Sequence, residues 1–371
     1  MALSRCSTFR RVGSIKAFVG RIALPVAQYG TTIRMSSSSS SSSSTTAEKG
    51  DSWSPKEYLE FTDQRGRPIK DLINFLYDNG VASPKRIVDL GCGPGNSTEA
   101  LCEAFPTAQI SGMDSSKEML EQARQKNPGV DFVEDDIQMY APDPETDLLF
   151  SNAVFHWLRR HLRIEAIQRL VCGLKKGGVF AMQVPDNYHA ASHVAMRDVA
   201  YSHPAFAPYF RRFLKSGMES SLFKPELDRI ESSWKYYNQL IPYCERVELW
   251  HTSYRHVLNG HADIVRWVRS TGLRPFLELL PKTGGVREDF ENHYQRQLEL
   301  KYPRLADGKV MLTYPRMFLV AFRGDKDIPL PQIQKSQERL ARYVDMRGFQ
   351  RMISSARKRL EFGQKGGPDP E

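Results

Sequence analysis

Several features that would place this 371-residue chain in other protein classes are scarce or absent. It has five cysteines (Cys6, Cys92, Cys102, Cys172 and Cys244), and none of them stands in a Cys-x-x-Cys pair. This spacing argues against a zinc site or a disulfide framework and favours free thiols in a reducing compartment. No uninterrupted apolar run approaches the ~20 residues of a membrane-spanning helix, so we expect no membrane span.

Acidic side chains are absent from residues 1–35, which carry six basic ones. Without those six charges the net charge falls from +9 to +3, which is ordinary for a soluble enzyme and gives no indication of nucleic-acid binding. The Arg-, Ser- and Thr-rich composition is typical of an organelle transit peptide. We expect mitochondrial targeting. The alternatives are a plastid leader, or a disordered leader that is retained in the cytoplasm.

Composition also divides the rest of the chain. Residues 36–50 begin with nine consecutive serines and predict a flexible linker. Residues 51–323 form the predicted main domain. Residues 324–371 predict a basic helical C-terminal extension, whose ordinary interpretation is a solvated appendage and whose alternative is contact with a membrane surface or RNA.

Short apolar runs alternate with amphipathic stretches from Arg86 onward, which predicts an α/β fold with a parallel sheet covered by helices on both faces. The predicted strands cover residues 86–90, 109–113, 130–133, 147–151, 178–184, 246–257 and 310–323. The predicted helices cover residues 97–105, 116–126, 161–174, 261–270, 273–280 and 287–301. We expect cap segments, at about 186–240 and 258–305, to lie over the carboxyl edge of the sheet, where such sheets bind ligands.

The stretch Val88-Asp89-Leu90-Gly91-Cys92-Gly93-Pro94-Gly95 joins an apolar strand to a helix through three glycines. Glycine permits a tight turn and close approach of the backbone to a ligand, which is typical of nucleotide sites. We expect Asn96 or Ser97 to cap a helix that begins near Thr98. A dehydrogenase would carry Gly-x-Gly-x-x-Gly. The closer spacing here, with Asp89 opening the turn, favours S-adenosylmethionine over NAD.

Acidic residues follow the next two predicted strands. Asp114 stands 23 positions after Gly91, which suits an acid that binds both ribose hydroxyls. Its other interpretation is the N-cap of the helix that starts near Ser116. Asp136 can accept a hydrogen bond from an adenine amine while the backbone of Ile137 meets the ring. Three such turns at successive strand ends are a more specific signal than any one of them.

These segments resemble the class I S-adenosylmethionine-dependent methyltransferases, and more closely the trans-aconitate methyltransferase family. The resemblance covers roughly residues 52–323 and includes the late segments Trp250-x-Thr252-x-Tyr254-x-His256 and Pro315-Arg316-x-Phe318. It implies a Rossmann-like seven-stranded sheet with an antiparallel last strand and a helical cap. The implied activity is monomethyl esterification of trans-aconitate or a related small polycarboxylate. His156 departs from the family, which often carries glutamine there, and the loop at 201–224 has no clear counterpart, so the identity of the acid stays open.

The resemblance also implies a role for each part of the cofactor site. The glycine turn with Asn152 would hold the methionine part of S-adenosylmethionine, Asp114 the ribose, and Asp136 with Ile137 the adenine. The complete set of predicted cofactor residues is Asp89, Gly91, Cys92, Gly93, Asp114, Ser115, Asp136, Ile137 and Asn152.

Esterification needs no general base, because a carboxylate with a reference pKa of about 4 is already ionised near neutral pH. We therefore predict no catalytic acid or base and no metal. A polycarboxylate instead requires several donors, and the planar guanidinium of arginine binds a carboxylate through two hydrogen bonds. The predicted substrate-binding residues are Arg65, Arg67, Trp157, His193, Tyr254, His256, Arg274 and Arg316.

Several of these residues have a second interpretation. Arg67 precedes Pro68 and can order a helix start, Arg274 can pair with Glu278, and His256 can be a buried strand residue. Two other functions stay open for the protein: a methyltransferase of the same fold acting on a lipid-like acid, a phenol or a nitrogen nucleophile, or a non-catalytic relative that binds RNA or protein. We expect a monomer whose partner is its small-molecule substrate.

Overall fold

Seven strands form one sheet within residues 62–211 and 224–325, the residues that the computed structural model describes. The strands are β1 (Arg86–Leu90), β2 (Gln109–Asp114), β3 (Asp131–Glu134), β4 (Leu148–Asn152), β5 (Val179–Pro185), β6 (Cys244–Leu258) and β7 (Val310–Arg323). Their order across the sheet is β3-β2-β1-β4-β5-β7-β6. Strands β1 to β5 pair in parallel, and β7 lies antiparallel between β5 and β6. The expected α/β sheet with one antiparallel strand is confirmed.

Helices make the connections, because two parallel strands cannot be joined by a tight turn. They are α1 (Thr62–Asp78), α2 (Asn96–Ala104), α3 (Lys117–Lys126), α4 (Arg160–Gly173), α5 (Ala191–Ser202), α6 (Ala207–Arg211), α7 (Ser233–Leu240), α8 (His261–Arg269), α9 (Arg274–Leu279) and α10 (Val286–Lys301). Short 3₁₀ turns occupy Phe155–Trp157 and Ile241–Tyr243. Each strand and helix predicted within residues 86–323 is present with bounds within two residues, whereas α1, α5, α6 and α7 were not individually predicted. Because α1 runs through Pro68, Arg67 does not order its start.

The strand order reverses at β1, which has β2 on one side and β4 on the other. The chain therefore leaves the carboxyl ends of β1 and β4 in opposite directions, and a crevice opens between them. Apolar side chains fill both faces of the sheet. Leu149, Ile167 and Phe180 belong to the cluster on one face, and Leu72 and Phe150 belong to the cluster on the other.

The cap is built on the extended ends of the two longest strands. β5 pairs with β7 from Val179↔Phe322 to Pro185↔Arg316, so residues 310–315 of β7 continue beyond the end of β5. They remain paired with β6 there. Helices α5, α8, α9 and α10 pack against this two-stranded extension and enclose a separate apolar cluster around Trp267 and Phe290. The sheet thus carries its own cap over the carboxyl edge, as expected for the late helices.

The predicted leader (1–35) and serine linker (36–50) lie outside the described residues, as does the extension beyond residue 325. In the described part of the chain, no helix is long and apolar enough to cross a membrane.

Candidate active site

The glycine turn after β1 has the conformation that its sequence predicts. Gly91 and Gly93 have φ values of +68° and +53°, which L side chains rarely adopt. A Cβ on Gly91 would lie 2.4 Å from a methyl of Val154, because the turns after β1 and β4 touch at this point. A Cβ on Gly93 would meet nothing within 4 Å. The turn is therefore packed on one side and open at Gly93, where a ligand can approach the backbone.

Asp89 lies buried directly beneath this turn. Its Oδ2 accepts hydrogen bonds from the hydroxyls of Ser97 and Thr98, both at 2.7 Å, and so ties β1 to the first turn of α2. Its Oδ1 is buried without a hydrogen-bond partner among the described residues. Burial raises the pKa of this carboxyl to about 6. The expected cap was wrong: Gly95 is the N-cap, α2 begins at Asn96, and the Ser97 hydroxyl serves Asp89 instead.

Asp114 closes β2 beside the glycine turn. Its Oδ2 accepts from the Gly93 amide at 3.0 Å, and its Oδ1 accepts from the Ser116 amide at 2.9 Å. Ser116 is itself the N-cap of α3, so the capping role that Asp114 could have had belongs to Ser116, next to the exposed Ser115. Burial raises the pKa of Asp114, and the backbone hydrogen bonds oppose that rise. Each carboxylate oxygen has a second lone pair that can accept from a ribose hydroxyl.

The third acidic turn follows β3. Asp136 accepts from the Gln138 amide at 2.9 Å, which shapes the turn. The carbonyl of the buried Ile137 accepts from Arg169 at 2.8 Å, which leaves the Ile137 amide as the backbone group that can meet a ring. The backbone amide of Cys92, in the glycine turn, donates to the Met113 carbonyl at 2.9 Å. The Cys92 thiol is buried among the side chains between α3 and β3, and burial raises its pKa far above the ordinary value.

Asn152, the last residue of β4, is joined through Gln183 to Arg316. Gln183 Nε2 donates to Asn152 Oδ1, and Gln183 Oε1 accepts from Arg316 Nη1 at 2.8 Å. Ala153, which follows, has φ +59°, the one positive value for a non-glycine residue in the described part of the chain. It turns the chain from β4 into the 3₁₀ turn that carries His156 and Trp157.

A cleft of about 420 Å³, counted out to open solvent, lies beside this network. The 3₁₀ turn contributes His156 to its wall, the segment after β5 contributes Asn187, and α5 contributes His193 and Arg197. Arg197 donates to the Tyr188 carbonyl at 2.8 Å. Two carboxylates also line the cleft, and both have partners: Tyr201 donates to Glu226 at 2.5 Å, and Lys224 lies 2.8 Å from Asp228.

The histidines near the cleft are uncharged at neutral pH. Burial lowers the pKa of His193 to about 3 and that of His156 well below its ordinary range. Burial, with the charge of Arg316 as a second cause, lowers the pKa of His256 to about 4. Positive charge for an anionic ligand therefore comes from the arginines.

A second group of predicted substrate residues gathers next to Arg316 but does not line the cleft. Arg65 donates to the Trp267 carbonyl at 2.9 Å, and His256 stacks on the Trp267 ring with centroids 4.6 Å apart. Arg67 lies 5.5 Å from the ring centre of Tyr254. The Tyr254 hydroxyl donates to Asp71 at 2.5 Å.

The remaining predicted substrate residues lie apart from this group. Arg274 pairs with Glu278 at 2.6 Å, as the second interpretation of this residue expects. Trp157 is exposed and lies beside His156. Sequence reasoning did not select Gln183, Asn187 or Arg197. Gln183 alone carried a signal, since it is a lone amide in an apolar strand.

Among the described residues, no group of His, Cys, Asp and Glu side chains is arranged to hold a metal ion. The site consists of one open glycine turn with three acidic neighbours, and a cleft with arginine and neutral histidine side chains.

The chain is also similar to known proteins. A family model described as a methyltransferase domain matches residues 87–178, which contain the glycine turn and all three acids. Trans-aconitate 2-methyltransferase of Rhodopseudomonas palustris strain BisB5 is 43% identical over 271 residues, which cover 73% of this chain and 99% of that protein. The enzyme of the same name from Rhizobium rhizogenes strain K84 is 45% identical over 276 residues, with 73% and 99% covered.

Among solved structures, the YcgJ protein of Bacillus subtilis is covered completely and matches 69% of this chain, at 14% identity and a TM-score of 0.40. The family follows from the sequence relatives, because they share more than 40% identity over almost their whole length. This chain belongs to the trans-aconitate 2-methyltransferase family of S-adenosylmethionine-dependent methyltransferases.

Proposed function

We propose that this protein transfers the methyl group of S-adenosylmethionine to one carboxylate of trans-aconitate or a related small polycarboxylate. The observation that carries the proposal is the 43% identity with a trans-aconitate 2-methyltransferase over 99% of that enzyme. The arrangement of Asn152, Gln183 and Arg316 supports it. It connects the side of the crevice that would hold the methyl donor, called the donor side below, to a buried arginine beside the cleft.

The residues present fit the methyl donor. Open space at Gly93 admits a ligand to the turn, and the second lone pairs of Asp114 suit the ribose hydroxyls. The Oδ1 of Asp89 is buried without a hydrogen-bond partner among the described residues, which suits an N–H-bearing or positively charged ligand at this turn. When bound, S-adenosylmethionine supplies a methyl group on a positively charged sulfur.

The side chains near the cleft suit a polyanionic acceptor. Its carboxylates ionise with a reference pKa near 4, so the protein does not need to remove a proton. The chain's own task is to hold the acceptor in line with the donor and to keep water out. Arg316 and Arg197 supply charge-assisted hydrogen bonds, and the neutral His156 and His193 supply uncharged partners. The carboxylates of Glu226 and Asp228 are held by their own partners, Tyr201 and Lys224.

Incubation with methyl-labelled S-adenosylmethionine and trans-aconitate tests the proposal. We expect a base-labile labelled ester, and about a 30-fold or larger loss of kcat/KM for the acceptor in Arg316→Ala, because a charge-assisted hydrogen bond is removed. Arg274→Ala is the matched control and should stay within about threefold, since its partner is Glu278 on the surface of α9.

Failure to label any small di- or tricarboxylate, in a protein that binds S-adenosylhomocysteine, would contradict the proposal. Labelling of a fatty acid or a phenol instead would favour the second enzymatic interpretation. Salt-sensitive RNA binding without methyl transfer would favour the non-catalytic one. We further propose that the protein acts as a monomer, which sedimentation at micromolar concentration tests.

A further inference from the structure

Gln183 is a fully buried polar residue between two functional elements. It stands in β5 between the buried apolar side chains of Met182 and Val184. In the sheet it lies opposite Asn152 of the parallel strand β4, and Pro185, two residues on, lies opposite Arg316 of β7. The register therefore brings the end of β4 and the middle of β7 together on either side of one amide.

The hydrogen bonds of this amide have one consistent direction. A guanidinium can only donate, so Arg316 requires an acceptor and orients Gln183 with Oε1 towards it. Gln183 Nε2 must then point at Asn152 and donate to its Oδ1. Asn152 is oriented in turn, since its oxygen must face Gln183 Nε2, and its NH₂ group is then directed away from Gln183 and can donate two hydrogens to a ligand. The orientation of Asn152 thus depends on Arg316, more than 160 residues later in the chain.

We propose that Gln183 is a positioning residue that couples the acceptor-binding arginine to the donor-side Asn152. This inference rests on the proposed function, because Arg316 is taken as a contact of the acceptor. Through Gln183, the acceptor site at Arg316 and the methyl-donor site at Asn152 are each better ordered when the other is intact. The coupling is reciprocal. The acceptor should therefore strengthen binding of S-adenosylhomocysteine, the product of the cofactor, by the same factor as S-adenosylhomocysteine strengthens binding of the acceptor.

The chemistry of position 183 explains why an amide suits it. Glutamate would place a buried negative charge against Arg316, where it would compete with an anionic acceptor, and it could not donate to Asn152. Methionine has a similar volume but leaves both partners without their bonds. A neutral group that accepts at one end and donates at the other meets both requirements without a buried charge.

The test compares Gln183→Glu with wild type by calorimetry, with S-adenosylhomocysteine and trans-aconitate as the probes. We expect the Kd of trans-aconitate for the product-loaded protein to rise about 30-fold or more, and the coupling between the two ligands to disappear. In an Arg316→Ala background, Gln183→Glu should add less than about threefold, because its effect acts through that arginine. Gln168→Glu, a surface amide on α4 that donates to the Gln239 carbonyl, is the matched control and should change neither Kd.

Asn152→Asp tests the Asn152 end of this hydrogen-bonded arrangement. It also keeps the proposal testable if Gln183→Glu does not fold. Its carboxylate still accepts from Gln183, so acceptor binding should stay within about threefold, while loss of the NH₂ donors weakens S-adenosylhomocysteine binding about tenfold. A purely structural role predicts equal losses for both ligands in every variant, with a lowered melting temperature, and that result would overturn the proposal. So would unchanged acceptor affinity in Gln183→Glu.

Failure of the proposed function has a different signature. In that case wild-type protein would bind S-adenosylhomocysteine but no polycarboxylate, whatever residue stands at position 183.

Discussion

Asp114 accepts a hydrogen bond from the amide of Gly93 at 3.0 Å, and this bond joins the carboxyl ends of β2 and β1. Its other oxygen accepts from the Ser116 amide at the start of α3. The Asp114 carboxylate thus holds the glycine turn and the start of α3 next to each other. This carboxylate therefore sets the geometry of the side of the crevice proposed for the methyl donor.

Replacement of Asp114 by Asn should weaken S-adenosylhomocysteine binding about tenfold or more. The amide has one oxygen, so its NH₂ group must face either the Gly93 or the Ser116 amide, donor against donor, and the acceptor for a ribose hydroxyl is lost. Calorimetry measures the Kd. Asp131→Asn, an exposed carboxylate at the start of β3, is the control. Equal affinities in the two variants would contradict the assignment of Asp114.

Alanine at Gly93 should separate ligand binding from stability. Its φ of +53° makes Ala cost about 1–2 kcal/mol of folding free energy, and the added methyl enters the open space of the turn. Gly308→Ala is the matched control, because it has φ +79° and also meets nothing within 4 Å. We expect similar losses in urea unfolding for both variants, but weaker S-adenosylhomocysteine binding only for Gly93→Ala. Gly91→Ala should lose more stability than either, since its methyl would overlap Val154.

Asp89 should make the protein less stable as pH rises through the weakly acidic range. The pKa of this carboxyl is 3.8 in the unfolded chain and about 6 in the folded protein, so the folded state binds more protons between these pH values. The contribution of this group to the free energy of unfolding therefore falls from pH 3.8 to about 6 and is constant above.

Asp89→Asn cannot ionise, so the difference in unfolding free energy, variant minus wild type, should increase across this interval by up to about 3 kcal/mol. Urea unfolding at several pH values measures it. The exposed Asp143→Asn provides the comparison, and a difference for Asp89→Asn that does not vary with pH would refute the prediction.

Arg163 should be the ion-pair residue whose loss is most costly. Its buried guanidinium lies 2.6 Å from Glu231 and also donates to the carbonyls of Phe155 and Leu158, the ends of the turn that carries His156. Arg163→Ala leaves Glu231 buried without this partner, which should cost about 3–5 kcal/mol of unfolding free energy.

The same change at Arg86, whose pair with Asp143 is exposed, should cost less than about 1 kcal/mol. Replacing Arg163 by Met and Glu231 by Gln together should recover part of the loss, because no buried charge remains. A double variant as unstable as Arg163→Ala would show that the charge of Glu231 is not the cause.

Local pattern was enough to predict the sheet, the glycine turn and its acidic neighbours. Alternating apolar runs define strands and helices within a few residues of sequence, and the carboxyl ends of parallel strands meet at one edge. Asp89, Asp114 and Asp136 could therefore be predicted to share one site without knowledge of the packing, whereas Asn152 was implied by the family resemblance. The pairing of Arg274 with Glu278 was foreseeable for the same reason, since the two residues lie one helical turn apart.

Contacts between distant parts of the chain could not be foreseen in this way. Arg316 meets Gln183 because of the register of β7 against β5, and Tyr254 meets Asp71 because β6 lies against α1. Neither follows from local spacing, because 133 and 183 positions separate the partners. The sequence alone predicted the side of the crevice for the methyl donor, whose acidic residues lie at successive strand ends. Tertiary structure alone decided which of the predicted arginines meets Gln183 and, through it, Asn152, because strand register brings residues from distant parts of the chain together.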